Sequence, residues 1–345
     1  MSKDNTDVRR RASRRSSRKA TFVNVRALRL AALPIVSLAL TLSACGGQTQ
    51  ASGGSGGNGS GGVSGEVVVD GSSTVQPLTS AAGELFAEQE PGVNVSVATS
   101  GTGGGFEKFC QGQTDISDAS RPIKDEEKAI CEKNGITYSE LHVATDALTV
   151  VVSKDNDFVD CLTTDELETM WGPQAEDKVT TWKQVNAEFP DEPLELYGPG
   201  TDSGTFDYFT DEINGEEGAS RSDYNASEDD NTLVQGVAGS PNALGYFGYS
   251  YYEENQDKLK AVEIDSGDGC VAPSVETAQD GSYTPLARPL FIYPSTKSVT
   301  SKKQVKEFIS YYADNDEQIT EAAKFIPLND EQRSKLKDDA AKITG

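Results

Sequence analysis

The chain has 345 residues, and its 55 acidic residues outnumber its 31 basic residues, so the formal net charge at pH 7 is −24. This length allows a sizeable hydrophobic core and two α/β lobes. The acidic balance argues against a nucleic-acid-binding protein, because the electrostatic attraction that dominates such binding would become a repulsion.

The N-terminal 44 residues have the pattern of an export signal. They contain ten basic and two acidic residues, and Ala27–Leu42 is a mostly small and apolar run of 16 residues. A membrane-spanning helix needs ~20 residues. The run leads into "LSAC", and a cysteine after small residues is typical of a bacterial lipoprotein signal; an ordinary secretory signal is the alternative. We therefore interpret residues 1–44 as a lipoprotein signal peptide and expect lipidation of Cys45. The protein would then be exported and lipid-anchored to the cell membrane, facing the periplasm or the outer surface.

Residues 45–65 form a predicted tether. Nearly all of them are Gly, Ser or other small polar residues, a composition typical of a flexible linker. We expect the folded part to begin near Glu66. Without the signal peptide, 21 basic and 53 acidic residues remain, and the net charge is about −32.

Beyond the tether, short β-branched runs alternate with helix-like segments. This alternation is typical of a parallel sheet covered by helices. The longest apolar strand candidates are residues 141–153 and 287–295, and they suit two strands that link two lobes. We expect lobe 1 to comprise residues 66–146 and about 288–345, and lobe 2 to comprise residues 147–287.

Four cysteines besides Cys45 predict two disulfides, since an even number in an exported protein usually forms pairs. Four cysteines allow three pairings. We favour the pairing that keeps each disulfide within one expected lobe. Its pairs are Cys110–Cys131 and Cys161–Cys270.

Three segments share one pattern, in which a strand ends, hydroxyl or glycine residues follow, and a helix begins. They are "DGSSTV" at 70–75, "TSGTGGGF" at 99–106 and "GTDSGTF" at 200–206. The first amides of a helix have no partner within it, and the helix dipole adds partial positive charge, so such an end attracts anions. Simple N-capping is the alternative for any one of them. Three in two lobes favour convergence on one small oxyanion.

A fourth segment, "DISDASRP" at 115–122, offers two further groups. Ser120 supplies a hydrogen-bond donor, and Arg121 can clamp an oxyanion with two parallel N–H bonds. A surface ion pair is the alternative for Arg121.

Enzyme and metal motifs fit poorly. "GTGGGF" departs from the dinucleotide pattern at Phe106, and no Walker lysine follows it. His142 is the only histidine, lies in an apolar-rich run next to no nucleophile motif, and is interpreted as structural; no CxxC is present. "DSGT" at 202–205 and "DSG" at 265–267 resemble aspartic-protease loops, but Asp268 replaces the second hydroxyl residue, and that fold is nearly all β. We expect no catalytic residues, no cofactor and no metal.

Taken together, these runs resemble the high-affinity phosphate-binding proteins of Pst-type ABC transporters (PstS), especially a branch with cyanobacterial and marine members. The resemblance spans roughly residues 66–295. It implies a periplasmic-binding-protein type II fold, with two α/β lobes joined by two hinge-crossing strands that close over inorganic phosphate. It also implies a monomer that delivers phosphate to a membrane ABC permease; a phosphate sensor or adhesin of the same fold is the alternative. The matching runs include "DGSSTV", "GTGGGFEKFCQGQTDISDASRPI", "DALTVVV", "LYGPGTDSGTFDYFTDEI", "SEDDNTLVQGVAG", "ALGYFGYSYY" and "RPLFIY".

The resemblance also implies a set of phosphate-binding residues. In the second loop Thr102 is expected to bind the anion, with Ser100 as the alternative. The matching positions are Ser73, Thr74 and Val75 in the first loop, Ser100 and Thr102 in the second, and Ser203, Gly204 and Thr205 in the third.

The chain departs from better-known members at two positions. Pro199 stands where they have an arginine, and Ser120 where they have an aspartate that accepts the phosphate proton. We expect Arg121 to replace the cation and Asp146 to replace the acceptor. Asp118 is the alternative acceptor, and Asp146 would otherwise be a partner of Arg121. Such a carboxylate would exclude sulfate, which has no proton to donate.

Overall fold

The computed structural model describes residues 62–345. The predicted signal peptide, Cys45 and most of the tether lie outside these residues. The first strand begins at Ser64, because Ser64 and Gly65 already pair with Gly92 and Val93 of the next strand. The last two residues of the predicted tether are therefore part of the sheet, which corrects that boundary. No helix between residues 62 and 345 combines the length and apolarity that a membrane crossing requires.

Residues 62–345 form twelve strands arranged in two sheets. The larger sheet has the order β2-β1-β3-β12-β4-β8-β6-β7, with β9 beside β4, and the smaller one has the order β11-β10-β5. The strands are β1 (Ser64–Gly71), β2 (Gly92–Thr99), β3 (Ile116–Ala119), β4 (Leu141–Ser153), β5 (Cys161–Thr163), β6 (Glu195–Gly198), β7 (Asn225–Ala226), β8 (Ala243–Gly248), β9 (Leu259–Ala261), β10 (Glu263–Asp265), β11 (Cys270–Val271) and β12 (Ala287–Pro294).

The helices cover the sheets and, with a 3₁₀ turn at Pro173–Ala175, complete the regular structure of this part of the chain. They are α1 (Gln76–Gln89), α2 (Gly101–Cys110), α3 (Asp125–Lys133), α4 (Thr164–Trp171), α5 (Trp182–Val185), α6 (Gly204–Asn214), α7 (Asp230–Ala238), α8 (Tyr249–Glu253), α9 (Val275–Gln279), α10 (Thr296–Ser301), α11 (Lys303–Asp314), α12 (Asp316–Ala323) and α13 (Asp330–Thr344).

The strand, helix, strand alternation read from the sequence is present. β1 pairs in parallel with both β2 and β3, and α1 and α2 make the connections. Val67 and Val69, which point to one face of β1, are almost completely buried, and Val68 on the other face is half-buried. The carboxyl ends of these parallel strands lie at one edge of the sheet, so the loops that follow them come together there.

β4 is the long strand that the apolar run predicted, and its partners change along its length. Its first half pairs antiparallel with β12, up to Ala147 opposite Ala287. From Leu148 onward it pairs with β8 instead. Leu148 also donates its amide to the carbonyl oxygen of Leu286, just before β12 begins. β4 therefore continues from one half of the large sheet into the other.

The buried side chains form separate clusters on the two sides of this change. Val143 belongs to a cluster with Val69, Phe308 and other residues of the first half and the C-terminal helices. Val150 belongs to another with Trp171 and other residues of the second half. The lobe boundaries at residues 146 and 288 stay predictions.

Both favoured disulfides are formed. Cys110, the last residue of α2, bonds Cys131 of α3 with a Cα–Cα distance of 4.3 Å. Cys161 of β5 bonds Cys270 of β11 with a Cα–Cα distance of 6.1 Å. The pairing of the four cysteines is therefore confirmed. Each disulfide joins elements that are neighbours in one half of the molecule.

His142 packs within the sheet. Its Nε2 atom is 2.9 Å from the carbonyl oxygen of Ala144, and its ring lies against Phe291. Burial lowers the pKa of His142, so the ring is neutral at pH 7. Within residues 62–345, no group of three or more His, Cys, Asp or Glu side chains is arranged to hold a metal ion.

Candidate functional site

The first turns of α1 and α6 meet. A β-carbon built on Gly204 would lie 2.8 Å from the Thr74 hydroxyl oxygen, 3.0 Å from the Thr74 amide nitrogen and 3.1 Å from the Ser73 hydroxyl oxygen. Only a residue without a side chain fits between these groups. Because α1 packs in the first half of the molecule and α6 in the second, this contact closes the space between them.

The two helix ends differ in their capping. The Ser203 hydroxyl accepts a hydrogen bond from the Thr205 amide at 3.2 Å, so Ser203 caps α6. At α1 and α2 no side chain caps the first turn in the described structure. The start of α2 is therefore open to an external acceptor, whereas at α1 the Gln76 amide already donates to the Ser72 carbonyl oxygen and Pro77 has no N–H. Ser203 behaves as the capping alternative predicts.

A cleft of about 770 Å³ lies beside the contact between α1 and α6. Four of the predicted site residues are absent from its wall: Val75 is completely buried, and the others are Asp146, Ser203 and Thr205. The predicted residues that line the cleft are Ser73, Thr74, Ser100, Thr102, Ser120, Arg121 and Gly204.

A second cavity, of about 440 Å³, contains two of the displaced residues. Asp146 and Thr205 line it, together with Tyr249, Lys324 and Asp230. Burial, followed by the neighbouring carboxylates, raises the pKa of Asp230 to about 6. Asp146 and Thr205 therefore line this second cavity and not the wall of the cleft.

Ser100 is occupied by an internal hydrogen bond. Its hydroxyl donates to Asp70 at 2.5 Å, and Lys108 contacts the other oxygen of that carboxylate. Burial favours protonation of Asp70, but the hydrogen bonds from Lys108 and Ser100 outweigh it and hold the pKa of Asp70 below its ordinary value. A serine hydroxyl has one proton to donate, so Ser100 has none left for an anion.

Thr102 has the opposite arrangement. Its hydroxyl oxygen accepts the Ser120 amide at 3.2 Å and lies 3.1 Å from the Ser120 hydroxyl oxygen. Between them, these two hydroxyls retain a proton that can point into the cleft. The geometry therefore favours Thr102 over Ser100 as an anion donor.

Arg121 lines the cleft, and three of its five N–H donors are engaged by Glu127 and the carbonyl oxygen of Pro122. Its two terminal nitrogens donate to the two carboxylate oxygens of Glu127 at 2.9 and 2.7 Å. Its hydrogen bonding to Glu127 raises the pKa of Arg121. Glu127 also accepts the amide of Lys124. Arg121 thus forms the ion pair that was its alternative interpretation.

Arg288, at the start of β12, is the cation that sequence reasoning missed. Its Nη2 donates to the Thr74 hydroxyl at 2.8 Å and its Nε to Asp146 at 3.3 Å. Its guanidinium carbon lies 3.5 Å from the centroid of the Tyr208 ring. Nη1 makes no hydrogen bond to any residue between 62 and 345, and the side chain lines the cleft. The available signal was a proline after the arginine, which Arg121 and Arg288 share.

Neither candidate proton acceptor lines the cleft. Asp146 contacts Arg288 rather than Arg121, and burial raises the pKa of Asp146 despite this cation. Asp118 is completely buried, accepts the Thr79 hydroxyl at 3.0 Å, and has its pKa raised by burial to about 8. The carboxylates on the cleft wall are Asp207, Asp211, Glu212 and Glu217, from α6 and the loop after it.

A family model for the PBP superfamily domain matches residues 56–316. With two α/β halves, a strand that crosses between them and a cleft at the crossing, the fold is that of a binding protein of this superfamily. The fold class predicted from the sequence is confirmed.

Similar proteins define the family. Protein SphX of Synechococcus elongatus is 50% identical over 263 residues, which cover 76% of this chain and 77% of that protein. The phosphate-binding protein PstS of Staphylococcus saprophyticus is 43% identical over 308 residues, covering 88% and 92%. The crystal structure of a possible phosphate-binding protein from Planctomyces limnophilus has a TM-score of 0.77 and 44% identity, over 81% of this chain and 99% of that one. This chain belongs to the family of PstS and SphX proteins.

Proposed function

We propose that the protein binds inorganic phosphate in the cleft and is the substrate-binding component of a phosphate ABC transporter. The observation that carries this proposal is the set of unpaired donors on the cleft wall. They are the amides at the start of α2, the Thr74 hydroxyl, the one proton that the Thr102 and Ser120 hydroxyls retain between them, and the free edge of Arg288. The names of the relatives support phosphate as the anion.

The donors are sufficient in number for tight binding. Hydrogen bonds to a charged group contribute roughly 1.5–3 kcal/mol each. Six of them exceed the ~8 kcal/mol of micromolar affinity. The surplus offsets dehydration of the anion and closure of the two lobes.

The net negative charge of the chain does not prevent anion binding. At physiological salt, exposed charges more than ~8 Å apart are largely screened. Amides and hydroxyls at hydrogen-bond distance act within that range. Burial raises the pKa of Asp207, the carboxyl in the first turn of α6.

Arg288 takes the role of the clamping cation in this proposal. Arg121 is held in a bidentate pair with Glu127, whereas Nη1 of Arg288 makes no hydrogen bond within residues 62–345 and can bind an anion. Asp146 then fixes the orientation of Arg288 by accepting the hydrogen bond from its Nε. The acceptor of the phosphate proton stays assigned to Asp146 by prediction alone, with Asp118 as the alternative.

The remaining parts of the proposal rest on sequence patterns and family membership. The protein acts as an exported, lipid-anchored monomer, attached through Cys45, with two lobes bounded near residues 146 and 288. It carries out no reaction of its own. Phosphate passes from the cleft to a membrane permease after the lobes open.

The test is calorimetric titration of the purified protein, stripped of anion, with phosphate and then with sulfate. One-to-one binding of phosphate without binding of sulfate is the expected result. If neither phosphate nor sulfate produces a heat of binding, the proposal is wrong. Equal affinity for both would leave an oxyanion receptor without phosphate selectivity.

A further inference from the structure

Arg288 is held on three sides, and the fourth side faces the cleft. Asp146 binds its Nε, Thr74 accepts from Nη2, and the ring of Tyr208 covers one face of the guanidinium. A contact to the face of a guanidinium leaves its in-plane N–H groups free. The ring therefore orients the group without using any of the donors that an anion needs.

The ring of Tyr208 has a position of its own, independent of Arg288. Only 4% of the residue is exposed, and it packs in the cluster that contains Trp171 and Tyr246. Its hydroxyl donates to the carbonyl oxygen of Pro285. Tyr208 is thus fixed within the second half of the molecule.

The other contacts of the guanidinium belong elsewhere in the fold. Thr74 precedes α1, and the cap residue Val75 and Leu78 of α1 pack in the cluster of the first half. Asp146 lies on β4, just before its change of partners. The Tyr208 ring reaches Arg288 from α6, the helix whose first residue, Gly204, touches Thr74.

We propose that Tyr208 is a positioning residue for Arg288, and that its stacking makes closure of the lobes depend on the guanidinium. This inference rests on the proposed function and extends it to a residue that does not touch the anion. When α6 approaches α1, the ring covers the guanidinium and holds its free edge toward the cleft. Attraction between a cation and an aromatic face strengthens when both are shielded from water, as they are here.

The first experiment compares Tyr208→Phe with Tyr208→Leu by phosphate titration of the purified full-length protein. Tyr208→Phe keeps the ring and loses only the bond to Pro285, so its affinity is expected within about threefold of the parent. Tyr208→Leu removes the ring and is expected to bind about tenfold more weakly. If the two variants are impaired equally, the hydroxyl or the packing of α6 is responsible, and the inference is wrong.

The matched control is Phe209→Leu. Phe209 is the next residue of α6, is equally buried and stacks on Tyr246 with ring centroids 3.9 Å apart, away from Arg288. This variant is expected to lower the melting temperature without a tenfold loss of affinity. A loss equal to that of Tyr208→Leu would attribute the effect to general damage of α6.

A second experiment isolates the electrostatic part. Position 208 is occupied in turn by phenylalanine and by its mono-, di- and trifluorinated analogues, which withdraw electron density from the ring face with little change in size. Affinity for phosphate is expected to fall stepwise along the series, and the steps should vanish in the Arg288→Gln background. A flat series in the parent would overturn the inference, whereas absence of phosphate binding by the parent would overturn the proposed function instead.

Discussion

Gly204 and Thr74 are in direct contact across the two lobes, and the space between them excludes a single methyl group. A β-carbon at Gly204 would lie 2.8 Å from the Thr74 hydroxyl oxygen, closer than nonbonded atoms approach. Glycine at the first position of α6 is therefore required for this contact. The helix itself would accept alanine more readily than glycine.

Gly204→Ala is expected to weaken phosphate binding at least tenfold, because the methyl group keeps α6 away from α1. The melting temperature without phosphate should stay the same or rise slightly, since alanine favours a helix. Calorimetry and thermal unfolding measure the two effects. Gly248→Ala, at the last residue of β8, is the matched control, because the nearest neighbour of the added β-carbon would be 3.9 Å away. Undiminished affinity of Gly204→Ala would mean that binding does not need this contact.

Replacement of the two cleft arginines should have unequal effects. Arg288→Gln removes a charge that binds Thr74 and faces the cleft, so a loss of about 2–4 kcal/mol in phosphate binding is expected. Arg121→Gln removes a group already paired with Glu127, and a much smaller loss is expected. Titration of both variants decides between them. A larger loss for Arg121→Gln would restore that residue as the clamp.

The two hydroxyls of the second loop, those of Thr102 and Ser100, are also expected to differ in their effect on binding. Thr102→Val is expected to cost about 1.5–3 kcal/mol of phosphate binding, because a donor to the anion is lost. Ser100→Ala should instead reduce the free energy of unfolding by about 1 kcal/mol, because its bond to Asp70 is lost. Affinity and urea unfolding are measured for each. Interchanged results would show that Ser100 is the anion donor.

The raised pKa of the Asp118 carboxyl leads us to expect that stability depends on pH. Burial raises its pKa from 3.8 to about 8, so the folded state holds this proton over a range in which the unfolded chain has released it. The contribution of Asp118 therefore destabilises the fold progressively as pH rises from about 4 to 8, with about 5 kcal/mol as an upper bound. Asp118→Asn, which cannot ionise, should be less sensitive to pH.

The measurement is urea unfolding of the parent and of Asp118→Asn at pH 5 and pH 8. Other groups titrate in this window, and the difference between the two proteins isolates Asp118. A parent that gains stability toward pH 8 relative to the variant would contradict the prediction. Phosphate should be absent, because a ligand would add its own pH dependence.

Much of the architecture followed from local patterns. The run at 141–153 is β4, and the run at 287–295 is β12 shortened by one residue. Alternation of β-branched and helix-like segments gave the parallel connections around β1, and the restriction of each disulfide to one lobe gave the correct pairing. Periodicity, length and turn residues report on neighbours along the chain, so they sufficed here.

The roles of individual site residues did not follow in the same way. Sequence indicated hydroxyl and glycine residues at three strand ends, and most of them line the cleft. It could not show that the Ser100 hydroxyl donates its proton to Asp70 or that Arg121 forms an ion pair with Glu127. These contacts depend on which side chains lie next to each other in the folded state.

The sequence by itself determined the class of fold, the positions of the anion-attracting helix ends and the pairing of the cysteines, because each depends on local pattern or on spacing. Only the tertiary structure decided which cation serves the cleft. Arg288 is 214 residues from Thr74 and 142 residues from Asp146 along the chain. No local pattern relates groups so distant, and they meet only because β12 and β4 lie side by side where the strands cross.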